Sequence, residues 1–426
     1  MRKRNVLEVR LPKACENIDV LEGKTMEYIV RTHFLEKLIA LKDKNVIKVV
    51  SGIRRCGKST LFKLYIEWLL KNGVKKEQII SYNFEDFALK EYVENPFLLH
   101  DDILKFAENK EKTYLFLDEI QIVKDFERLV NSLHLRENID VYITGSNAYL
   151  LSGELATFLT GRFIQIKMLP LSFSEFVSAQ KDKSRLDLLF SQYMVKGGFP
   201  ETLHLPQNEI SKYISDVYSS ILQKDIMVRH KWRKTEYFEK LVRFMFDSVG
   251  SPLSANNISK QLKASGFDIS NHTADTYVEA VCQSYIFYKA LRYNIKGKMI
   301  LSTQEKYYTA DLGFKQALSG AWQNSNIGHN LENIIYLELL RRDKIVYIGK
   351  ANDTEIDFVS ITHGGDTEYI QVAWTAKDEK TLDREIRPFE IIRDYNKRTL
   401  ITMDVEPQSS FNGIKKVNAI DWLLEK

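Results

Sequence analysis

The stretch that decides the fold is Gly52-Ile53-Arg54-Arg55-Cys56-Gly57-Lys58-Ser59, which has the form G-x-x-x-x-G-K-[ST]. It follows a short apolar run, 46–50 (VIKVV), and opens a segment, 59–72, whose apolar residues Leu61, Leu64, Tyr65, Trp68 and Leu69 recur at helical spacing. Gly73 stands where such a helix should stop. Strand, glycine loop and helix in this order let backbone N–H groups curl around phosphates, and the positive helix end favours the anion. Lys58 is placed to bridge the β- and γ-phosphates, and Ser59 to offer its hydroxyl to Mg²⁺. The candidate ATP-binding residues are therefore Gly52, Ile53, Arg54, Arg55, Cys56, Gly57, Lys58, Ser59 and the adjoining Thr60. Arg54 and Arg55 can touch phosphates or simply face solvent.

Outward from the loop, the runs 79–84, 114–118, 141–144 and 163–168 read as further strands separated by helical or loop segments. This alternation predicts an α/β fold, a parallel sheet with helices on both faces. Tyr114-Leu115-Phe116-Leu117-Asp118-Glu119 is an apolar strand ending in two carboxylates. Asp118 would hold Mg²⁺ together with Ser59, and Glu119 would polarise the attacking water. A glutamate there has an obvious use only with water, so the pattern favours hydrolysis over transfer to a small molecule. The next strand ends in Thr144-Gly145-Ser146-Asn147, where Asn147 can sense the γ-phosphate or orient the water. Arg162, just before the fifth strand, is either an arginine directed at a neighbouring subunit's γ-phosphate or a surface residue near a turn.

Beyond Pro170-Leu171-Ser172-Phe173 the character changes. Residues 1–30 form an N-terminal extension, 31–172 the nucleotide-binding domain, and 173–250 a helical lid or linker rich in aromatic residues. Residues 251–320 have winged-helix proportions, with helices 256–264 and 270–284 and a hairpin of 285–293 and 299–308. From 321 to 426 a helix (331–341) and the strand-like runs 345–348, 355–361 and 368–374 predict a second mixed α/β domain.

The chain has 426 residues, too many for one simple core. Its 61 Lys and Arg against 57 Asp and Glu leave a net charge of +4, which permits a nucleic-acid partner without arguing for one. Cys15, Cys56 and Cys282 lie far apart, with no CxxC pair, which speaks against a disulfide framework or zinc site and fits a reducing cytoplasm. No uncharged apolar stretch of about 18 residues occurs, so no membrane span is expected.

GIRRCGKST, YLFLDEIQ, ITGSN, the TGRF…PLSFSEF junction, GGFPE (197–201), YYTADLGF (307–314), HNLENIIYLEL, TEIDFV and YIQVAW together carry a resemblance across nearly the whole chain. The chain resembles a family of bacterial and archaeal AAA+-like P-loop ATPases of the ASCE class that carry a C-terminal domain of unknown function. The resemblance implies an Mg²⁺-dependent ATPase whose nucleotide state moves its C-terminal domains, and oligomers that include rings. In related AAA+ ATPases the position of Arg162 carries the arginine that acts in trans. The C-terminal domain also looks like a restriction-endonuclease fold, with Glu332, Asp357 and Gln371 at its three acidic or amide places. Ala373 stands where such nucleases carry lysine, so the resemblance implies an inactive, nuclease-derived scaffold.

Two rival readings stay open. Lys224–Arg243 holds seven basic residues against three acidic ones, and Arg229, Lys231, Arg233 and Lys234 with Trp232 and Tyr237 can grip phosphates and stack on bases. A charged helical face packed on the core has the same composition. Between Asp268 and Gln283 there is no Lys or Arg, so the expected recognition helix lacks the cations of a DNA reader. A nucleotide-gated DNA-binding or nuclease-type protein of defence or mobile-element biology is one alternative. An ATP-binding interaction switch with little turnover, working on a protein partner, is the other.

Overall fold

Ile47–Ser51 (β1) is apolar at three of five positions and buried along its whole length, as befits a strand with neighbours on both sides and helices on both faces. In the computed structural model, which describes residues 28–108, 110–151, 161–230, 232, 235–319, 327–405 and 408–425, the chain divides into two compact units. One runs to Gly52 and resumes from Gly57 to Met168, and the other takes Ile53–Cys56 and everything from Leu169 onward. The junction expected at 172 thus falls a few residues late.

In the first unit β1, Ile79–Asn83 (β2), Thr113–Asp118 (β3), Ile139–Gly145 (β4) and Phe163–Lys167 (β5) form one parallel sheet in the order β2-β3-β4-β1-β5. The three interior strands are buried throughout, and the edge strand β5 leaves Ile164 exposed. Helices Lys58–Lys71, Pro96–Ala107 and Phe126–His134 flank the sheet. The second of them begins at a proline capped by the Asn95 side chain, which loses no intrahelical hydrogen bond at that position. Lys48 and Asp140 are fully buried polar residues on interior strands, and they pair with one another while Tyr142 Oη donates to the same aspartate. Paired charges of this kind avoid the penalty of an isolated buried ion.

The second unit starts with helices Phe173–Ser178, Leu186–Lys196, Gln207–Ile221 and Thr235–Asp247, with a π-helical turn at Leu222–Met227. Helices Ala255–Ala264 and Asn271–Gln283 and the hairpin Phe287–Asn294 (β7) and Met299–Thr309 (β8) then follow near their predicted places, after the short strand Pro252–Leu253 (β6). The hairpin is not a free wing. β7 pairs in parallel with Ile345–Ala351 (β9) through Arg292–Asn294, and this joins it to Thr354–Ile361 (β10), Thr367–Ala373 (β11), Lys397–Thr402 (β12), Ser409–Phe411 (β13) and Ile414–Asn418 (β14). The result is a nine-stranded mixed sheet in the order β13-β14-β12-β11-β10-β9-β7-β8-β6. A cut at 320 therefore separates residues that share one sheet.

Asp311 explains two of the glycine-containing motifs. Its carboxylate accepts the Gly198 N–H at 2.6 Å and the Gly313 N–H at 2.7 Å. Gly197 has a φ of 73°, and a Cβ built there would lie 1.8 Å from Asp311 Oδ1. Only glycine tolerates both that backbone and that approach. Among the described residues no helix is long and apolar enough to cross a membrane.

Candidate active site

The C-terminal ends of β1, β3 and β4 meet at one edge of the parallel sheet, the usual location of ligands in open α/β folds. From β1 the chain turns through the glycine loop, where Gly57 adopts φ 103° and caps the helix that begins at Lys58. Its left-handed conformation is open to glycine at no steric cost. Ile53 and Cys56 are buried, Arg54 is nearly so, Ser59 and Thr60 are half-buried, and Arg55 faces solvent with φ 68°. Lys58 is only 4 % exposed. Its Nζ donates to the Gly52 carbonyl at 3.1 Å and lies 3.4 Å from Glu119 Oε1.

β3 and β4 run in register, with Leu117 opposite Ile143, so Asp118 and Thr144 arrive side by side. The Thr144 hydroxyl donates to Asp118 Oδ1 at 2.5 Å and accepts the Glu119 N–H at 2.8 Å. The Ser59 hydroxyl also bonds Asp118, so serine and aspartate converge from the two sides. Burial holds the Asp118 carboxyl above its ordinary pKa, and the Glu119 charge adds to this while the two hydroxyls and Lys58 oppose it. Glu119 itself adopts φ 54°, a left-handed backbone uncommon outside glycine and asparagine that recurs at functional sites. Hydroxyl and carboxylate oxygens are the donor set a hard cation such as Mg²⁺ takes.

Two residues near these carboxylates carry buried acceptors that have no hydrogen-bond partner within the described protein: Asn147 Oδ1 and Gln121 Oε1. Asn147 was singled out from the sequence. Gln121 was not, although it closes the YLFLDEIQ run. Its Nε2 donates to Glu119 Oε2 at 2.5 Å and to Ser146 Oγ at 3.3 Å. Arg162 is not brought to this edge. The Ile47 N–H donates to its carbonyl at 2.8 Å, so it sits at the start of β1, not at its end. A five-residue strand spans roughly 16 Å, and the Arg162 guanidinium instead donates to Asn131 Oδ1 at 2.7 Å.

In the second unit Arg54 Nε and Nη2 lie 3.1 and 3.2 Å from the two carboxylate oxygens of Asp225, in the π-helical turn. Glu332, Asp357 and Gln371 do come together. The Asp357 N–H donates to Gln371 Oε1 at 3.3 Å, and Asp357 Oδ2 accepts the Val372 N–H at 2.8 Å. The lysine missing at Ala373 has a counterpart from elsewhere. Lys306 on β8, 4 % exposed, places Nζ 2.9 Å from Glu332 Oε1 and 2.8 Å from Glu355 Oε1. The Tyr308 hydroxyl donates to the same Glu332 oxygen at 2.5 Å. Burial and the Glu332 charge hold Asp357 well above the carboxylate range, against the pull of Lys306. Burial alone would lower the Lys306 pKa, but Glu332, Asp357 and Glu355 outweigh it and raise it. Lys306 is invisible to a motif search because it lies on a hairpin strand 26 residues before Glu332. Among the described residues no group of three or more His, Cys, Asp or Glu is arranged to hold a metal ion. Of the basic patch, Arg229 is exposed, while Lys231, Arg233 and Lys234 lie outside the described residues, as do residues 1–27 of the N-terminal extension.

A parallel five-stranded sheet with a phosphate loop after β1 and paired carboxylates after β3 defines a P-loop NTPase. A family profile described as an AAA domain matches residues 44–177, and one described as a domain of unknown function matches 187–325. An uncharacterized protein of Haemophilus influenzae is 37% identical over 403 residues, covering 93% of this chain and 99% of that protein. An uncharacterized protein of Methanocaldococcus jannaschii is 28% identical over 412 residues, covering 91% and 89%. A solved Walker-type ATPase of Pyrococcus abyssi aligns at a TM-score of 0.45 and 13% identity, covering 70% of this chain and 97% of that one. The chain belongs to the family of the Haemophilus influenzae protein, AAA+-like P-loop ATPases with a C-terminal domain of unknown function.

Proposed function

We propose that this protein binds ATP with Mg²⁺ at the phosphate loop and hydrolyses it, and that the cycle drives a conformational change of its C-terminal domains. The observation that carries the reading is the Thr144 bridge, which fixes Asp118 and the Glu119 backbone side by side, with Lys58 near the Glu119 carboxylate. Backbone N–H groups of the loop and the Lys58 ammonium hold the triphosphate. Ser59 and Asp118 would hold Mg²⁺, which when bound neutralises charge developing on the phosphate oxygens. Glu119 accepts the proton of the attacking water, and Asn147 hydrogen-bonds that water or the γ-phosphate.

Arg162, at the far end of the sheet from its own loop, is assigned to the γ-phosphate of a neighbouring copy, which makes the active form an oligomer. In the C-terminal sheet Glu332 and Glu355 are both engaged by Lys306. This supports a nuclease-derived scaffold over a cleaving enzyme.

Phosphate release from MgATP tests the central claim. Wild-type protein should turn over, and Glu119→Gln should lose about 10²-fold or more in kcat while still binding nucleotide. Lys58→Ala should lose affinity. Undiminished hydrolysis by Glu119→Gln would refute the assignment of the base.

A further inference from the structure

We propose that Gln121 is a positioning residue for the attacking water, acting both on Glu119 and on the water itself. The inference rests on the hydrolytic reading above and adds a residue that neither the phosphate-loop motif nor the Asp-Glu pair contains.

A water that attacks phosphorus must turn a lone pair toward it. Both of its O–H bonds then need acceptors on the opposite side. Glu119 supplies one acceptor and takes that proton as the new O–P bond forms and the bond to the ADP oxygen breaks, ADP leaving as the anion. A second acceptor is required for the other O–H, and a carboxylate held by a single contact would not fix the direction of the pair. Gln121 meets both needs. Its Nε2 clamps Glu119 Oε2 at 2.5 Å and is itself steadied by Ser146 Oγ at 3.3 Å. That leaves Oε1, at the other corner of the same planar amide, as a buried acceptor without a protein partner within the described residues. A buried acceptor left unmatched is destabilising, so its retention beside the base has a use when water is present.

The surroundings preserve this placement. Gln121 sits on the 3₁₀ turn Ile120–Ile122 that follows Glu119, so base and amide share one rigid segment. At Gly145 an added Cβ would lie 3.0 Å from Gln121 Oε1 and 2.7 Å from Leu150 Cδ2. The glycine at the end of β4 thereby leaves room for the amide. Asn147 Oδ1, also buried and without a partner within the described residues, is the other acceptor at this strand end. Gln121 is the one of the two that also touches the base.

The test compares full-length wild type, Gln121→Leu and Gln121→Glu by steady-state phosphate release with MgATP and by titration with a fluorescent ATP analogue. For Gln121→Leu, kcat should fall about 10- to 100-fold, the scale of a misplaced reacting group, while KM and analogue affinity stay within about threefold of wild type. Combining it with Glu119→Gln should slow turnover little further, because the two residues act as one unit. Gln121→Glu is isosteric and sets a second carboxylate against Glu119. It removes the Nε2 donor that holds Glu119, so its kcat should fall at least as far as that of Gln121→Leu. A Gln121→Leu enzyme with wild-type kcat overturns the proposal. So does a loss of nucleotide affinity that matches the loss of kcat, or an additive double variant. A wild-type protein that binds ATP and releases no phosphate defeats the hydrolytic reading itself, before any variant is compared.

Discussion

Asp311 makes the stability of the second unit depend on pH in a direction opposite to most aspartates. Burial pushes its carboxyl up from 3.8 to about 7, against the Gly198 and Gly313 N–H donors and the Arg341 charge. A group whose pKa is raised on folding binds more protons folded than unfolded, so stability falls as pH rises between the two values. The interval from 3.8 to about 7, at about 1.36 kcal/mol per unit, amounts to about 4 kcal/mol. That contribution is fully present below pH 4, declines through pH 4–7 and is gone above 7. Asp311→Asn removes the ionisation, but its NH₂ faces one of the two glycine N–H groups and orphans it, at about 1–3 kcal/mol. The variant should therefore be less stable than wild type at pH 4, and more stable at pH 8. The two curves should cross between about pH 4.5 and 6, by the same arithmetic. Urea midpoints at half-unit pH steps measure this. In a Trp68→Phe background the remaining tryptophans, Trp232, Trp322, Trp374 and Trp422, all belong to the second unit. A difference between variant and wild type that does not change with pH would refute the reasoning.

The other expectations concern each unit separately. Thr144→Val keeps the shape of the side chain but removes the hydroxyl shared by Asp118 and Glu119; kcat should fall at least 10-fold, about the worth of one charge-assisted hydrogen bond, with ATP affinity nearly unchanged in a binding titration. Lys58→Ala and Arg162→Ala should each be inactive alone, yet regain phosphate release when mixed, because a hybrid interface joins an intact loop to an intact arginine; no recovery across mixing ratios rules out the trans assignment. Lys306→Met strips the cation from Glu332 and Glu355, and removal of one partner from a buried pair costs about 3–5 kcal/mol. That loss should appear in urea midpoints at pH 7.

The nucleotide half of the fold was legible because each of its signals is local. A buried parallel strand reads as an apolar run, and the loop, helix stripe and Asp118-Glu119 pair each occupy a few consecutive residues. What stayed hidden depends on which strands become neighbours. Thr144 reaches Asp118 only because β3 lies beside β4 in one register, and a linear reading gives no rank to one polar residue at a strand end. The position of Arg162 at the opposite end of the sheet follows from pairing with the start of β1. In the second unit the helices and hairpin were read near their places, but the partnership of β7 with β9 was not, since it joins segments more than fifty residues apart. The final strands β12–β14 are short and mixed with charge, so their period-2 signal is weak.

The same distinction explains why some motifs mark the family without marking chemistry. GGFPE and YYTADLGF lie more than a hundred residues apart, and the contact between them is Asp311 against Gly197, Gly198 and Gly313. A side chain at 197 would enter the carboxylate, and an alanine at 311 would orphan two backbone amides. Each motif is thus intelligible only through the other. The two backbone donors offset only part of the cost of burying the Asp311 charge, and its carboxyl stays well above the ordinary range. Motifs of that kind record a packing solution, whereas Gly52–Ser59 and Asp118-Glu119 gather donors and carboxylates at the C-terminal ends of β1 and β3. Chemistry should therefore be sought at Thr144, Gln121 and Asn147 at that end of the sheet, and fold integrity at the Asp311 clamp.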